Sequence, residues 1–300
     1  MGRPAWTLWV VVAVFLIGDG LAKPQRLGSE PLEPLGPGPL ETNNIVELEV
    51  PPELDEAMSD AELVPQHYPA QRAAQVAVHY LNTRHASPYR RIELRRVHKA
   101  SLEDLGQAGK KYRLQISLKE SISNTDLGQC SAEVLFSGEQ EQRAPQVQCS
   151  CEGLAKLNTR AEEDALFQRL NTSTSPLSGG NIPDSYGHVD PEMKPMWRLG
   201  AAAASFVMLR ESNESTLYNM AQVANFTQLE TENDQLRFKY HILLHDMISQ
   251  EILHWKLLVA WSPAGGVSVL QTDFEPKCHR CGTVPSAEPK PEATKASAVS

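Results

Sequence analysis

The sequence predicts an α+β protein of two tandem units, each one helix packed on a four-stranded antiparallel sheet. Three observations predict it. Two segments carry apolar residues at helical spacing and are opened by a proline, whose missing N–H does no harm in a first helical turn. Segments alternating apolar and polar residues follow each of them, the mark of half-buried strands. The order of one helix and then strands occurs twice with a period of roughly 95 residues, a size at which a single unit buries only a modest core.

Taken in chain order, the first segments lie outside that fold. Residues 1–22 read as a secretory signal: Arg3 in front, an apolar core over 5–17, and Gly20-Leu21-Ala22 as a small-x-small cleavage site. The core is shorter than the roughly 20 residues that span a bilayer. A secreted or secretory-pathway protein is expected; retention of the segment would instead anchor it to a membrane through residues 5–17. Residues 23–66 are acidic and Pro-rich, cannot bury enough apolar surface to offset their ordering entropy, and are expected to be disordered. Positions 27–71 hold ten acidic residues and no Lys or Arg, against a net charge of −9 for all 300 residues. The remainder is nearly balanced. No basic stripe is present, which excludes a nucleic-acid partner.

The first unit covers 67–158. Pro69 opens a helix whose apolar face is Ala73, Val76, Ala77, Tyr80 and Leu81. Tyr112, Leu114, Ile116 and Leu118 alternate with Lys111, Arg113, Gln115, Ser117 and Lys119 as a half-buried strand. Ala132, Val134 and Phe136 continue the sheet, followed by Val147 and Cys149. A connecting segment, 159–189, holds a helix over 160–171 and then a Pro/Gly-rich link; Glu162 and Glu163 are expected to lie exposed at the helix start, where acids suit the dipole.

The second unit covers 190–275. Asp190 is a good N-cap with Pro191 in the first turn, although Pro195 competes with that start and could move it by a turn. Trp197, Leu199, Ala203, Phe206 and Val207 continue the helix, and the small residues 201–204 let it lie close on a sheet. Strands are expected at 217–226, 236–244, 253–261 and 267–270. Residues 276–300 form a second Pro- and Ala-rich tail, expected to be disordered, that carries Cys278 and Cys281; a tail or intermolecular disulfide suits that pair better than a redox motif or a zinc site.

One loop stands out. Residues 243–252 read Leu-Leu-His-Asp-Met-Ile-Ser-Gln-Glu-Ile between two alternating strands, so Ser249, Gln250 and Glu251 form the tip of a hairpin. The tip has no Gly, Pro or Asn-Gly, and turn chemistry does not account for its residues. His241 and His245 would pair as metal ligands on a helix. In a strand, four residues span about 13 Å, too far for one ion. No GxSxG, phosphate-cradling glycine loop or HExxH is present. Neither catalytic residue nor cofactor, metal or small-molecule substrate is expected.

An oxidising compartment favours disulfides among the five cysteines. Cys130 and Cys149 both lie in phase with the inward face of adjoining strands and are the first-choice bridge, with Cys151 as competitor; the odd total leaves one thiol free or bonded to another chain. Asn171, Asn213 and Asn225 head acceptor sequons for N-glycosylation.

The runs Tyr68-Pro-Ala-Gln-Arg-Ala-Ala-Gln-Val-Ala, Lys111-Tyr-Arg-Leu, Cys130-Ser-Ala-Glu-Val-Leu, Asn181-Ile-Pro-Asp and the 243–252 loop together resemble the latexin family. The resemblance runs continuously from about residue 68 to about residue 271 and implies two cystatin-like units. It also implies a non-enzymatic inhibitor of A/B-type zinc metallocarboxypeptidases. In that family a loop of the second unit enters the mouth of the enzyme's active-site funnel. The matching residues are His245, Asp246, Met247, Ile248, Ser249, Gln250 and Glu251, with Gln250 deepest. The linking residues Asn181, Ile182, Pro183 and Asp184 are expected to assist. Cysteine-protease inhibition is disfavoured, because the Gln-x-Val-x-Gly hairpin of ordinary cystatins is absent. The alternative is an extracellular or membrane-associated interaction or matrix protein of the same fold, with weak or no inhibitory activity.

Overall fold

A computed structural model describes residues 61–138 and 143–276. The leader 1–22, nearly all of 23–66 and the tail beyond Pro276, with Cys278 and Cys281, lie outside the described residues. Among the described residues, no helix is long and apolar enough to cross a membrane.

Helix α1 (Tyr68–His85) begins as expected, with Pro69 in its first turn. Ala73, Val76, Ala77 and Leu81 are buried, while Tyr80 stays half-buried with the Arg84 guanidinium 5.4 Å from its ring centre. The helix packs on an antiparallel sheet of order β1-β2-β3-β4-β5: β1 (Ala61–Leu63), β2 (Ile92–Asp104), β3 (Gly109–Glu120), β4 (Asp126–Ser137) and β5 (Gln146–Ser150). Tyr112 stands opposite Val134, Leu114 opposite Ala132 and Ile116 opposite Cys130, so the inward side chains form one layer beneath α1.

The chain continues through helix α2 (Arg160–Asn171), strand β6 (Ser178–Ile182) and helix α3 (Lys194–Glu211). The second sheet, of order β10-β9-β8-β7-β6, adds β7 (Tyr218–Gln228), β8 (Leu236–Asp246), β9 (Glu251–Ser262) and β10 (Gly266–Glu275). Its core holds Phe226, Phe238, Tyr240 and Trp261, and α2 adds Leu166 and Leu170. Both units thus follow one order: an edge strand, a helix, then a four-strand meander.

Each sheet therefore has five strands, one more than expected. The extra members are β1, inside the segment 23–66, and β6, inside the link 159–189. Both are short edge strands, Ala-Glu-Leu and Ser-Gly-Gly-Asn-Ile, with no alternation to read. Strand β2 gave no clean alternation either: its register with β3 shifts between Leu94 and Arg96 and again between Val97 and Lys99, and each shift resets the inward phase.

Three further expectations are corrected. Helix α3 starts at Lys194, not beside Asp190: the Asp190 carbonyl accepts the N–H groups of Met193 and Lys194 at 2.9 and 3.0 Å in a preceding turn, and Pro195 occupies the first helical turn. Glu163 is buried and not exposed; its carboxylate accepts the hydroxyls of Ser87 and Thr159 at 2.5 and 2.6 Å. The disulfide joins Cys130 to Cys151 and not to Cys149, with a Cα–Cα separation of 4.5 Å. The register explains it. Ser131 pairs with Ser150 and Ala132 with Cys149, so the position directly across from Cys130 is Cys151. Cys149 keeps a free, half-buried thiol whose pKa burial pushes up to about 11.

The two units meet through their helices. Ala201, Ala202 and Ser205 of α3 line a cleft with Val78, His79 and Asn82 of α1. On the other side of α3, Gly200 lies so close to the sheet that a Cβ there would meet Val223 Cγ2 at 2.9 Å and Tyr240 Cε1 at 3.1 Å. Polar links also cross between units. His79 Nε2 donates to the Tyr218 carbonyl at 3.2 Å, and Glu214 accepts from Tyr112 Oη at 2.7 Å and Lys110 Nζ at 3.1 Å.

Candidate functional site

Strands β8 and β9 pair continuously from Leu236–Trp261 to Asp246–Glu251, leaving residues 247–250 as a four-residue loop. Asp246 sets its shape. The side chain is buried, and its carboxylate accepts the Leu217 N–H at 3.0 Å, the Ile248 N–H at 3.2 Å, the Ser249 N–H at 3.4 Å and the Ser249 hydroxyl at 2.7 Å. Burial alone would raise the pKa of this acid. The donated hydrogen bonds outweigh burial and hold it below the usual carboxylate value. Met247 is tied back by its N–H to the Leu217 carbonyl at 2.9 Å.

The outer half of the loop is presented to solvent. Met247 and Ile248 are 38% and 41% exposed, large values for apolar side chains. Gln250 is exposed and has φ +60°, the left-handed region that turn chemistry reserves for Gly or Asn. Its amide Nε2 donates to the Met247 carbonyl at 2.6 Å, and Ser249 Oγ accepts the Glu251 N–H at 3.4 Å. The residue types at this tip cost conformational energy. An observed outlier of this kind points to selection for something other than the turn.

The second expected segment lies at the same end of the sheet. Val223 of β7 pairs with both Ile182 and Ile242, and Tyr218 pairs with Asp246. Residues 183–188 therefore leave β6 toward the loop-bearing end, about two strand spacings (~10 Å) to the side of β8. Asn181 has φ +55°, Ile182 is buried, and a cis peptide precedes Pro183, whose carbonyl accepts Gln222 Nε2 at 2.7 Å. Asp184 shapes the following turn by accepting the N–H groups of Tyr186 and His188 at 2.9 and 2.8 Å. This turn presents Tyr186 at 84% exposure. Sequence reasoning passed over Tyr186; its signal was an aromatic inside a Pro/Gly-rich link. An exposed tyrosine at the loop-bearing end of the sheet is the kind of side chain that protein interfaces use as an anchor.

The three sequon residues Asn171, Asn213 and Asn225 are all exposed. His241 and His245 stand apart along β8, as the strand reading requires, but His241 meets His254 across the sheet, with Nε2 and Nδ1 3.2 Å apart.

The sequence model of the latexin family matches residues 63–279. Human latexin is 36% identical over 216 residues, covering 72% of this chain and 97% of that protein. Human retinoic acid receptor responder protein 1 is 30% identical over 207 residues, covering 66% of this chain and 70% of its own. Ovocalyxin-32 of Gallus gallus is 29% identical, with 67% and 72% covered.

Proposed function

The chain belongs to the latexin family, and from this membership and the 247–250 loop we propose that it is a secreted, non-enzymatic inhibitor of A/B-type zinc metallocarboxypeptidases. The doubled unit is read as two cystatin-like domains. The observation that carries the reading is the loop tip, where Gln250 takes a conformation its side chain does not favour, beside exposed Met247 and Ile248. Such residues serve a partner better than they serve a turn. Asp246 preorganises the tip, so docking forfeits little conformational entropy and more of the contact energy survives as affinity.

Plugging is steric and non-covalent. Gln250 leads into the enzyme's funnel, where a neutral amide donates and accepts hydrogen bonds near a zinc-bound water without the cost of burying a charge. Met247 and Ile248 cover the funnel mouth, and Tyr186 with Asn181, Pro183 and Asp184 widens the footprint; Ile182 is buried and anchors the segment to the core instead of touching the enzyme. Carboxypeptidase A titrated with the mature chain is expected to lose activity in proportion to inhibitor added. Gln250→Arg or Glu251→Pro restores it, the second by removing the N–H that Ser249 Oγ accepts and by restricting the backbone of Gln250 before the proline. Full enzyme activity at micromolar concentrations of chain would overturn the reading.

A further inference from the structure

Away from the loop, on the face of the second sheet opposite α3, three neighbouring strands bring metal-ligating side chains together. They are His241 on β8, His254 on β9 and Glu275 at the end of β10. Their inward neighbours Tyr240, Ile242 and Trp255 are buried, so strand alternation turns His241 and His254 outward. Register holds the group: His254 stands directly across from Glu275, and His241 lies on the diagonal, since its own partner is Lys256.

The spacing fits one small cation. His241 Nε2 is 3.2 Å from His254 Nδ1 and 3.6 Å from Glu275 Oε2, and the three ligand atoms lie within 4.8 Å of one another. A tetrahedral ion bound at about 2.0–2.2 Å by nitrogen and oxygen has ligand-to-ligand edges of about 3.3–3.6 Å. An ion could therefore enter with small side-chain adjustments and no change of register. Two imidazoles and one carboxylate, with a fourth position open to water, suit Zn2+ and its late first-row neighbours; Ca2+ and Mg2+ want oxygen ligands. Lys256 opposes a cation here. It pairs with Glu275 through Oε1 and leaves Oε2 for the ion.

We propose that His241, His254 and Glu275 form a zinc-class divalent-metal site that clips the end of β10 to the β8–β9 hairpin. The site is structural in kind. It ties the strand from which the chain passes into its C-terminal tail to the two strands that carry the loop. Because the metal binds the folded register and not the separated strands, it stabilises the fold by mass action.

The test is calorimetric titration of Zn2+ into the full chain, disulfides intact, after chelator treatment. One site of micromolar or tighter affinity is expected. His241→Ala or His254→Ala should weaken it at least about tenfold, while His98→Ala on the first sheet leaves it unchanged. Lys256→Met should tighten it by removing the opposing charge. Cys278→Ser with Cys281→Ser should leave it intact, which separates it from binding by the tail thiols. Co2+ substitution gives an independent readout through the visible bands of a tetrahedral ion, and metal-free melting curves confirm that each variant folds. The proposal is overturned by absence of zinc heat, by binding that survives His254→Ala, or by binding that vanishes with the two tail cysteines. None of these readings involves a carboxypeptidase.

Discussion

Gln250 and Asp246 show how much of the site rests on single side chains. Gln250 holds φ +60° in a loop without glycine, at a cost on the order of 1–2 kcal/mol. Gln250→Gly removes that cost. Stability in urea should stay level or rise by up to about 1 kcal/mol, while inhibition of carboxypeptidase A weakens because the amide is gone. Unchanged inhibition in this variant would mean that the residue serves only the turn. The sequence flagged the loop because its residues did not suit a turn. The buried Asp246 carboxylate that shapes the tip was not legible, since its donors include Leu217, 29 positions away.

At the scale of elements, helix α3 shows what small residues achieve. Residues 201–204 are legible as a close-packing stretch, and Gly200, one position earlier, also lies against the sheet, where a Cβ would meet Val223 and Tyr240. Glycine weakens a helix interior by about 1 kcal/mol relative to alanine, and it is tolerated because Val223 and Tyr240 leave no room for a Cβ. Gly200→Val should cost more than about 2 kcal/mol in chemical denaturation through overpacking against β7 and β8. A loss under half that value would mean that the helix shifts freely on its sheet. The edge strands β1 and β6 were illegible for a different reason: three- and five-residue strands pair on one side and need no two-residue period.

The whole molecule is held by contacts between its two units, and one of them titrates. His79 of α1 is buried and donates to the Tyr218 carbonyl at the start of β7. Removal from water, aided by the Arg91 charge and opposed by the Tyr218 bond, lowers its pKa from 6.5 to about 4. The unfolded chain therefore takes up the proton first. Stability from the neutral ring is complete above pH 6.5 and is lost as pH falls toward 4, by at most about 3 kcal/mol for the full shift. Urea denaturation across pH 7.5 to 4.5 should show this loss, and His79→Gln should flatten that part of the slope. A wild-type slope retained in His79→Gln would assign the pH dependence to other groups.

Local periodicity by itself determined the two helix-and-strand units, the inward faces of β3, β4, β8 and β9, and the hairpin whose tip is the candidate site. These follow from the 3.6- and 2-residue repeats, which each segment carries within itself. Only the tertiary structure decided which residues meet across strands. Cys130 takes Cys151 because antiparallel register sets it opposite, His241 meets His254 and Glu275 across three strands, and the 183–188 turn joins the loop at one end of the sheet. Register depends on bulges and on partners far along the chain. No single segment carries that information, because a slip of one residue turns every side chain to the other face.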